Sequence, residues 1–362
     1  MKGPLARRGA LAWPGAPMAL ASAALFGVST PLAKLLLGQG VGPWLLAGLL
    51  YLGSGTGLAV VLLARRGLGL PAAEAPLRGA DLPWLLLVVI AGGAVGPVLL
   101  MIGLSTTPAS TSALLLNVEG LATMAIAWVV FRENVDRRLL VGAAAILAGA
   151  LILSWQGGPA GFGVGAVAII GACVAWGVDN NLTRKLSSAD PVQIAAVKGL
   201  CAGAVNLGLA LWQGATPPPA STLAAAAMVG FFGYGVSLVL FVLALRHLGA
   251  ARTGAYFSTA PFIGAALSLA LFAEPVSLQL AVAAVLMGVG VWLHLSERHE
   301  HDHEHEALEH EHRHVHDDHH QHAHGPHDPP GEPHTHWHRH APIRHKHPHY
   351  PDLHHRHGHG GA

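Results

Sequence analysis

The chain has 362 residues, a formal net charge of +1 and 26 histidines, and it divides sharply at Glu297. The last 66 residues hold 24 of the histidines and carry a formal charge of −6, whereas residues 1–296 carry +7. Charged residues make up only 11% of the chain, whereas a soluble domain usually contains about a quarter. This composition excludes a water-soluble enzyme and a nucleic-acid binder with a basic face, and it predicts a polytopic membrane protein with a polar tail.

Ten apolar segments of about 20 residues follow the N-terminal segment 1–16, and each is long enough to cross a bilayer core as a helix. These predicted spans 1 to 10 lie at 17–37, 43–64, 82–103, 108–131, 138–154, 163–184, 191–212, 222–245, 252–273 and 277–295. The sequence therefore predicts an all-α membrane protein with ten transmembrane helices.

Positive charges lie on one side of this predicted topology. Of the 15 basic residues in residues 1–296, 13 fall in the N-terminal segment, in the connections after even-numbered spans, or at the span ends that border these connections. The connections after odd-numbered spans contain none. Because basic connections stay in the cytoplasm, both termini are predicted to be cytoplasmic.

The two halves of the apolar region repeat each other. A shift of 141 residues aligns spans 4 and 5 with spans 9 and 10 without a gap, and it matches Leu104 with Leu245, Glu133 with Glu274, and Gly149 with Gly290. Upstream, Gly27-Val28 matches Gly177-Val178. Because five spans are an odd number, the repeats at 17–154 and 163–295 are predicted to have opposite orientations, with a substrate site between them near the membrane midplane.

Three stretches carry a family resemblance: LLLNVEGLATMAIAWVVFRE at 114–133, AWGVDNNLTRKL at 175–186, and ALRHLGAARTGAYFSTAPFIGA at 244–265. With the two five-span halves, they resemble the EamA-type permeases of the drug/metabolite transporter superfamily. The resemblance covers about residues 17–296 and implies a bacterial inner-membrane protein that transports by alternating access without ATP. The sequence has no GxxxxGK[ST] nucleotide-binding loop, which agrees with this implication. The resemblance does not identify the substrate.

Glu119 is the acidic side chain nearest the middle of a predicted span, and it follows Asn117 by two residues. A charged side chain at this depth costs about 2.5 to 3.5 kcal/mol on insertion scales, which makes both residues candidates for the site. The carboxylate suits proton coupling or binding of a cationic substrate, and the remaining interpretation is an ion pair with a buried lysine. Its repeat counterpart is Ala260, so this charge belongs to one half only.

Further polar side chains are candidates for lining a cavity or for packing between helices. Span 6 contributes Asp179, Asn180 and Asn181, whose repeat counterparts are Ser29, Thr30 and Pro31. Span 9 contributes the hydroxyl groups of Tyr256 and Ser258.

Two lysines lie within predicted spans, Lys198 in span 7 and Lys34 in the outer half of span 1. Each is a candidate partner for Asp179 or Glu119, or a ligand for a substrate carboxylate. Lys34 is also long enough to reach the outer membrane interface.

The tail at 297–362 alternates histidine with acidic residues, contains many prolines and has almost no aliphatic residues. It cannot bury a core, so a disordered cytoplasmic tail is predicted. Imidazole groups bind zinc, nickel, cobalt and copper, and carboxylates can complete the shell. The predicted ligands of a divalent transition metal are His299, His301, His303, His305, His310, His312, His314, His316, His319, His320, His322 and His324. No other cofactor is expected.

The first functional interpretation is a secondary exporter, driven by ion exchange, with nickel, cobalt or zinc as substrate or regulator. The alternative is an exporter of a small metabolite or amino acid, whose tail only senses or buffers metal. A third is a metal-storing membrane protein without transport. The expected partners are the lipid bilayer and the solute or metal ion; a second copy of the chain is a further candidate, and nucleic acid is excluded.

Overall fold

The apolar segments form helices in the computed structural model of the protein, which describes residues 15–69, 77–131, 137–155, 162–183, 186, 189–295, 300–304, 308–314, 334–340 and 344–348. The α-helices in these ranges are α1 (Gly15–Gly38), α2 (Pro43–Gly67), α3 (Leu82–Val88), α4 (Gly96–Thr106), α5 (Ala109–Leu115), α6 (Val118–Phe131), α7 (Arg137–Ser154), α8 (Val164–Thr183), α9 (Pro191–Trp212), α10 (Ala220–Val229), α11 (Ser237–Phe257), α12 (Ala260–Phe272) and α13 (Leu278–Leu295). Two π-helical segments join α3 to α4 and α10 to α11, the first at Val89–Val95 and the second at Gly230–Val236. A short 3-10 turn at Gly79–Asp81 precedes α3.

Eight helical stretches in the described residues are long and apolar enough to cross a membrane. Where segments join, a stretch combines them, as in Ala109–Val130 and Ala220–Ala244. Two shorter apolar helices, Ala260–Phe272 and Leu278–His294, follow these eight. The all-helical membrane region is therefore confirmed, and the count of ten transmembrane helices stays a prediction.

Apolar side chains occupy both the inside and the outside of the bundle. Leu46 and Met101 are fully buried between helices. Val129, Val285 and Trp292 are more than half exposed on the outer surface. Such extensive exposed apolar surface suits a surrounding lipid bilayer.

Contacts between connections define the two ends of the bundle. At one end, which we call the distal end, Gln39 Oε1 accepts a hydrogen bond from Thr222 Oγ1 at 3.1 Å, and Glu274 reaches the start of α5. The opposite end, with the start of α1 and the end of α13, we call the terminal end. Helix α8 begins at the distal end, because Gly165 lies against Thr107 there. The first helices of the two halves, α1 and α8, therefore run in opposite directions, as an inverted repeat requires.

The packing of α7 against α13 also reflects the internal repeat. A Cβ atom on Gly149 would collide with Met287, and one on Gly290 would collide with Ile146. The shift of 141 residues converts the first contact into the second. Small residues let membrane helices approach closely, and here Gly149 and Gly290 make equivalent close contacts in the two halves.

Predicted spans 4 and 9 are each interrupted near the middle, a feature that the apolar pattern did not reveal. Leu116 and Asn117 separate α5 from α6, and Ser258 and Thr259 separate α11 from α12. Asn117 and Ser258 occupy equivalent repeat positions, and each donates a hydrogen bond to a carbonyl of the preceding turn. Side chains of this type compete with the helical backbone, and an apolar sequence pattern does not reveal the resulting break.

Helix α11 is not straight. The ring centroids of Phe241 and Phe257 are 4.9 Å apart, whereas 16 residues of straight helix would separate them by about 24 Å. The chain therefore reverses between them, and the second part of α11 begins predicted span 9.

In the tail, the structure describes four strands, β1 (Glu300–Glu304), β2 (Leu308–His314), β3 (His334–His340) and β4 (Arg344–Pro348). Strand β1 pairs with β4 and strand β2 with β3, both antiparallel. The alternation of histidine with other residues, which indicates low complexity, also has the period of an extended strand. Disorder of the tail stays a prediction.

Candidate functional site

The first π segment presents two backbone carbonyls to side chains of neighbouring helices. Gly92 O accepts hydrogen bonds from Tyr51 Oη at 2.7 Å and from Trp176 Nε1 at 3.0 Å. Gly93 O accepts one from Asn206 Nδ2 at 3.2 Å. Because π-helical turns are frequent at functional sites, we begin the site at this segment, where α2, α8 and α9 converge.

A buried ion pair lies against the same segment. Lys198 on α9 pairs with Asp179 on α8, and each side chain is only 7% exposed. Thr183 Oγ1 donates a further hydrogen bond to Asp179 Oδ1 at 3.2 Å. A Cβ atom on Gly92 would overlap the carboxylate of Asp179, so residue 92 must lack a side chain for the pair to fit. Lys198 thus has one of the two partners predicted for it.

Glu119, half-buried at the start of α6, makes a second polar contact beside the ion pair. Asn180 Nδ2 donates hydrogen bonds to Glu119 Oε1 at 2.9 Å and to Thr123 Oγ1 at 3.2 Å. Glu119 also interacts electrostatically with Asp179 and Lys198. The four predicted residues Glu119, Asp179, Asn180 and Lys198 therefore form one cluster with two carboxylates and one ammonium group.

Asn117 and Asn181 contact the backbone next to this cluster. Asn117 Nδ2 donates to Leu114 O at 2.9 Å, which caps the end of α5 at the helix break. Asn181 Nδ2 donates to Gly177 O at 2.8 Å and Thr123 O at 3.0 Å, which ties α8 to α6. Both amides therefore bond backbone carbonyls beside the cluster.

The remaining predicted residues lie outside the cluster. Lys34 Nζ donates hydrogen bonds to Leu104 O and Thr107 O at the distal end. Ser258 Oγ donates to Gly254 O in its own helix, and the carbonyl of half-buried Tyr256 accepts a hydrogen bond from Thr259 Oγ1 in the break. The structure does not bring these three residues to the ion pair.

The second repeat contains an uncharged counterpart of the site. Gly233 in the second π segment is the repeat equivalent of Gly92, and a Cβ atom there would overlap Ser29. Ser29 is the repeat counterpart of Asp179. The equivalent glycines therefore lie against a hydroxyl group in one half and a carboxylate in the other. Ala260 takes the place of the span-4 glutamate. The charged cluster therefore belongs to one half only.

Aromatic rings adjoin the cluster at the centre of the bundle. The ring of Phe26 lies 5.4 Å from Phe257 and 5.8 Å from Tyr234, between centroids. Tyr234 lies 5.5 Å from Tyr51, whose hydroxyl group reaches Gly92. The site thus combines an ionic part with an apolar aromatic part.

The predicted metal ligands of the tail fall partly within the four strands. His299, His305, His316, His319, His320, His322 and His324 lie outside the described residues. In the backbone register, His301 and His303 stand opposite His347 and His345, and His310, His312 and His314 stand opposite His338, His336 and His334. Histidine therefore occupies alternate, matched positions in each strand pair.

A metal cage is absent from the part of the chain whose side chains the structure describes. No three His, Cys, Asp or Glu side chains come together there in a group that could hold an ion.

Sequence reasoning missed Tyr51, Trp176 and Asn206, which bind the carbonyls of the first π segment. From the sequence, the two aromatic residues are indistinguishable from ordinary lipid-facing or core residues, because their hydrogen-bond partner is a backbone atom. The available signal was the pair Gly92-Gly93, whose repeat position also contains glycine at Gly233.

Comparisons with known proteins agree with this architecture. The model of a family described as the EamA-like transporter family matches residues 13–155 and 163–296. The chain is 29% identical over 221 residues to a protein of Methanothermobacter thermautotrophicus named as an uncharacterized transporter. The match covers 59% of this chain and 64% of that protein, so the chain spans slightly less than two thirds of the length of that relative. The chain also resembles a protein of known crystal structure that is 20% identical in sequence. The match covers 77% of this chain and 94% of that protein, with a TM-score of 0.58, and it supports the fold alone.

Proposed function

Because the chain belongs to the EamA-like transporter family, we propose that it is a secondary transporter that exports a small organic solute in exchange for protons. Family membership makes it a membrane transporter and not an enzyme. The observation that carries the finer proposal is the buried ion pair of Lys198 with Asp179 beside the hydrogen bond of Glu119 with Asn180. This cluster lies next to an interrupted helix between inverted repeats, where secondary transporters commonly bind their cargo.

The charge balance of the cluster supports an organic cargo with an ammonium group, such as an amine metabolite or an amino acid. Lys198 neutralises Asp179, which leaves the carboxylate of Glu119 as the excess negative charge. An ammonium group can neutralise it, and a cargo carboxylate can use the further donors of Lys198. The neighbouring rings, including Trp176, offer apolar surface to the rest of the cargo.

In this proposal, Glu119 holds either a proton or the ammonium group of the cargo. An unpaired charge inside a membrane is costly, so the carboxylate binds one of the two at each stage of the cycle. Binding of a proton therefore releases the cargo, and binding of the cargo releases the proton. This competition couples export to proton entry.

We assign the tail to metal-dependent regulation, with nickel, cobalt or zinc as the bound ion and no other cofactor. The 24 histidines support metal binding. The same observation favours export of one of these metals as a second candidate function. In the described part of the bundle, no three His, Cys, Asp or Glu side chains form a group that could hold an ion, and the charge balance of the cluster favours the organic solute.

The orientation is also part of the proposal. The terminal end faces the cytoplasm of a bacterial inner membrane, in a ten-span topology. The distribution of 13 of 15 basic residues supports this orientation. The tail then binds metal on the cytoplasmic side, and the distal end faces outward.

Counterflow in proteoliposomes tests the function. Vesicles containing the purified full chain are loaded with one unlabelled solute and assayed for exchange against labelled amino acids, amines, nickel, cobalt and zinc. We expect an amine or amino acid to exchange and the metals not to. Glu119→Gln is expected to lower exchange at least about tenfold, whereas Glu119→Asp keeps part of it. Asp81→Asn is the matched control, since it removes a carboxylate that bonds only locally at the terminal end.

Three outcomes contradict parts of the proposal. Exchange of metal ions alone would favour the second candidate. Full exchange by Glu119→Gln without response to a pH gradient would assign the proton, but not the cargo, to Glu119. Equal losses in Glu119→Gln and Asp81→Asn would remove any specific role of this carboxylate.

A further inference from the structure

The connection between α4 and α5 at the distal end is held by a lysine from another helix. Lys34 Nζ on α1 donates hydrogen bonds to Leu104 O and, at 2.9 Å, to Thr107 O. These carbonyls belong to the last turn of α4 and the residue after it. The last four carbonyls of a helix lack partners within the helix, and a cation is favourable there. Lys34 therefore fits the end of α4 in both hydrogen bonding and charge.

A glutamate from the opposite repeat holds the other side of the same connection. Glu274 Oε1 accepts a hydrogen bond from Ala109 N at 2.8 Å, and Glu274 Oε2 accepts one from Ser110 N at 3.0 Å. These amides begin α5 and lack partners within the helix. The carboxylate also has the sign of charge that a helix N-terminus favours.

The two charged side chains act on one short connection and on each other. Only Thr107 and Pro108 separate α4 from α5, and Lys34 interacts electrostatically with Glu274. Glu274 comes from the second repeat, whereas Lys34 and the connection belong to the first. The hydrogen bonds of Glu274 to Ala109 and Ser110 therefore join the repeats at the distal end, and Lys34 holds the connection that receives them.

Two further contacts between the repeats lie at this end. Thr222 Oγ1 donates to Gln39 Oε1 at 3.1 Å. Gln279 Nε2 at the start of α13 donates to Trp155 O at 2.9 Å and also to Ile152 O. Both are made by neutral side chains, whereas the carboxylate of Glu274 accepts two charge-assisted hydrogen bonds, so the Glu274 contact is the strongest of the three.

We propose that Lys34 and Glu274 form a latch that keeps the distal end closed, and that the latch must release for the cargo to leave on that side. This inference rests on the proposed function in one respect: the transport cycle must include a state in which the distal end is open. In the structure, the latch is engaged, so the described conformation is closed at the distal end. Weakening the latch is expected to shift the population toward the distally open state.

Labelling of an introduced cysteine tests the latch without any transported solute. In a full chain whose two native cysteines are replaced by alanine, Ser29→Cys places a thiol at the interface of the repeats, where Ser29 is only 2% exposed. The reconstituted protein is treated with a membrane-impermeant maleimide from the distal side. We expect Glu274→Ala to raise the labelling rate about tenfold, because two charge-assisted hydrogen bonds are lost. Glu274→Gln keeps the side-chain shape and is expected to give a smaller increase.

Ile146→Cys is the control for loss of the fold. Ile146 is 2% exposed between α7 and α13, away from the latch. Its labelling rate is expected to stay unchanged in both Glu274 variants. An unchanged rate at Ser29→Cys would overturn the latch. A joint increase at Ser29→Cys and Ile146→Cys in both variants would also overturn it, because Glu274 would then support the whole fold. Absence of transport for every solute tested would leave this result intact, so the two proposals fail separately.

Discussion

The rings of Phe26 and Trp176 meet edge to face, with their centroids 6.1 Å apart. The two residues are repeat equivalents, because the shift that aligns Gly27 with Gly177 also aligns Phe26 with Trp176. Equivalent residues of two repeats can touch only close to the axis that relates the repeats. The contact therefore marks this axis, and Asp179 lies one helical turn beyond it on α8.

The buried ion pair makes a strong prediction about stability. Lys198→Ala leaves the carboxylate of Asp179 buried without its cation, which is expected to cost about 3–5 kcal/mol. Adding Asp179→Asn to Lys198→Ala removes the unpaired charge and is expected to recover more than half of that loss. The free energy of unfolding of the purified protein in detergent micelles measures both effects. Equal stability of the single and double variants would contradict the pairing.

Gly92→Ala tests the close contact between Asp179 and the first π segment. The added methyl group would overlap the carboxylate, so the ion pair must shift, at a cost of about 1–3 kcal/mol. Exchange in the counterflow assay is expected to fall with it. Gly208→Ala is the matched control, because a Cβ atom there meets nothing within 4 Å. Equal activity of the two variants would show that the close contact between Asp179 and residue 92 is not needed for exchange.

The reciprocal packing of α7 and α13 predicts equal effects in the two halves. Gly149→Ala and Gly290→Ala each place a methyl group against the opposite helix, and each is expected to cost about 1–3 kcal/mol. At Gly288 an added Cβ would make only an ordinary contact, at 3.9 Å from Phe262, so Gly288→Ala is expected to change little. Thermal unfolding of the three variants measures this. A large cost at only one of Gly149 and Gly290 would argue against an equivalent role in the repeats.

Deletion of residues 297–362 separates metal binding from transport. Titration calorimetry with nickel or zinc is expected to detect binding to the full chain and little to the truncated one, since the deletion removes 24 of 26 histidines. Exchange of the organic solute is expected to persist without its response to metal. Loss of all exchange after deletion would instead make the tail part of the transport pathway.

Much of the bundle could be predicted from the sequence, because crossing a bilayer imposes length and apolarity on each helix. The repeat was also visible, since a shared shift aligned Glu133 with Glu274 and Gly149 with Gly290. The interruptions at Asn117 and Ser258 were not predicted. Hydropathy measures only how apolar each residue is. A continuous helix and two half-helices in line therefore have the same hydropathy pattern.

The site could be predicted only in part. Glu119, Asp179, Asn180 and Lys198 stood out because polar side chains are rare in membrane spans, and the pairing of Lys198 remained open because sequence does not show which helices touch. Tyr51 and Trp176 could not be found in this way. Their role depends on Gly92 O, a backbone carbonyl in the first π segment, and hydropathy does not show where a helix changes to π geometry.

The uncharged residue Ala260, which is the repeat equivalent of Glu119, has a consequence for the energetics of the proposed exchange. Since the cluster has one exchangeable carboxylate in that proposal, each cycle would return a single proton. If the cargo is an amine with one positive charge, the exchange moves no net charge and membrane voltage does not affect its equilibrium. If the cargo is a zwitterion, each cycle moves one positive charge inward, and a voltage of 100 mV contributes about 2.3 kcal/mol. The response of export to a potassium diffusion potential therefore reports the charge of the cargo before its identity is known.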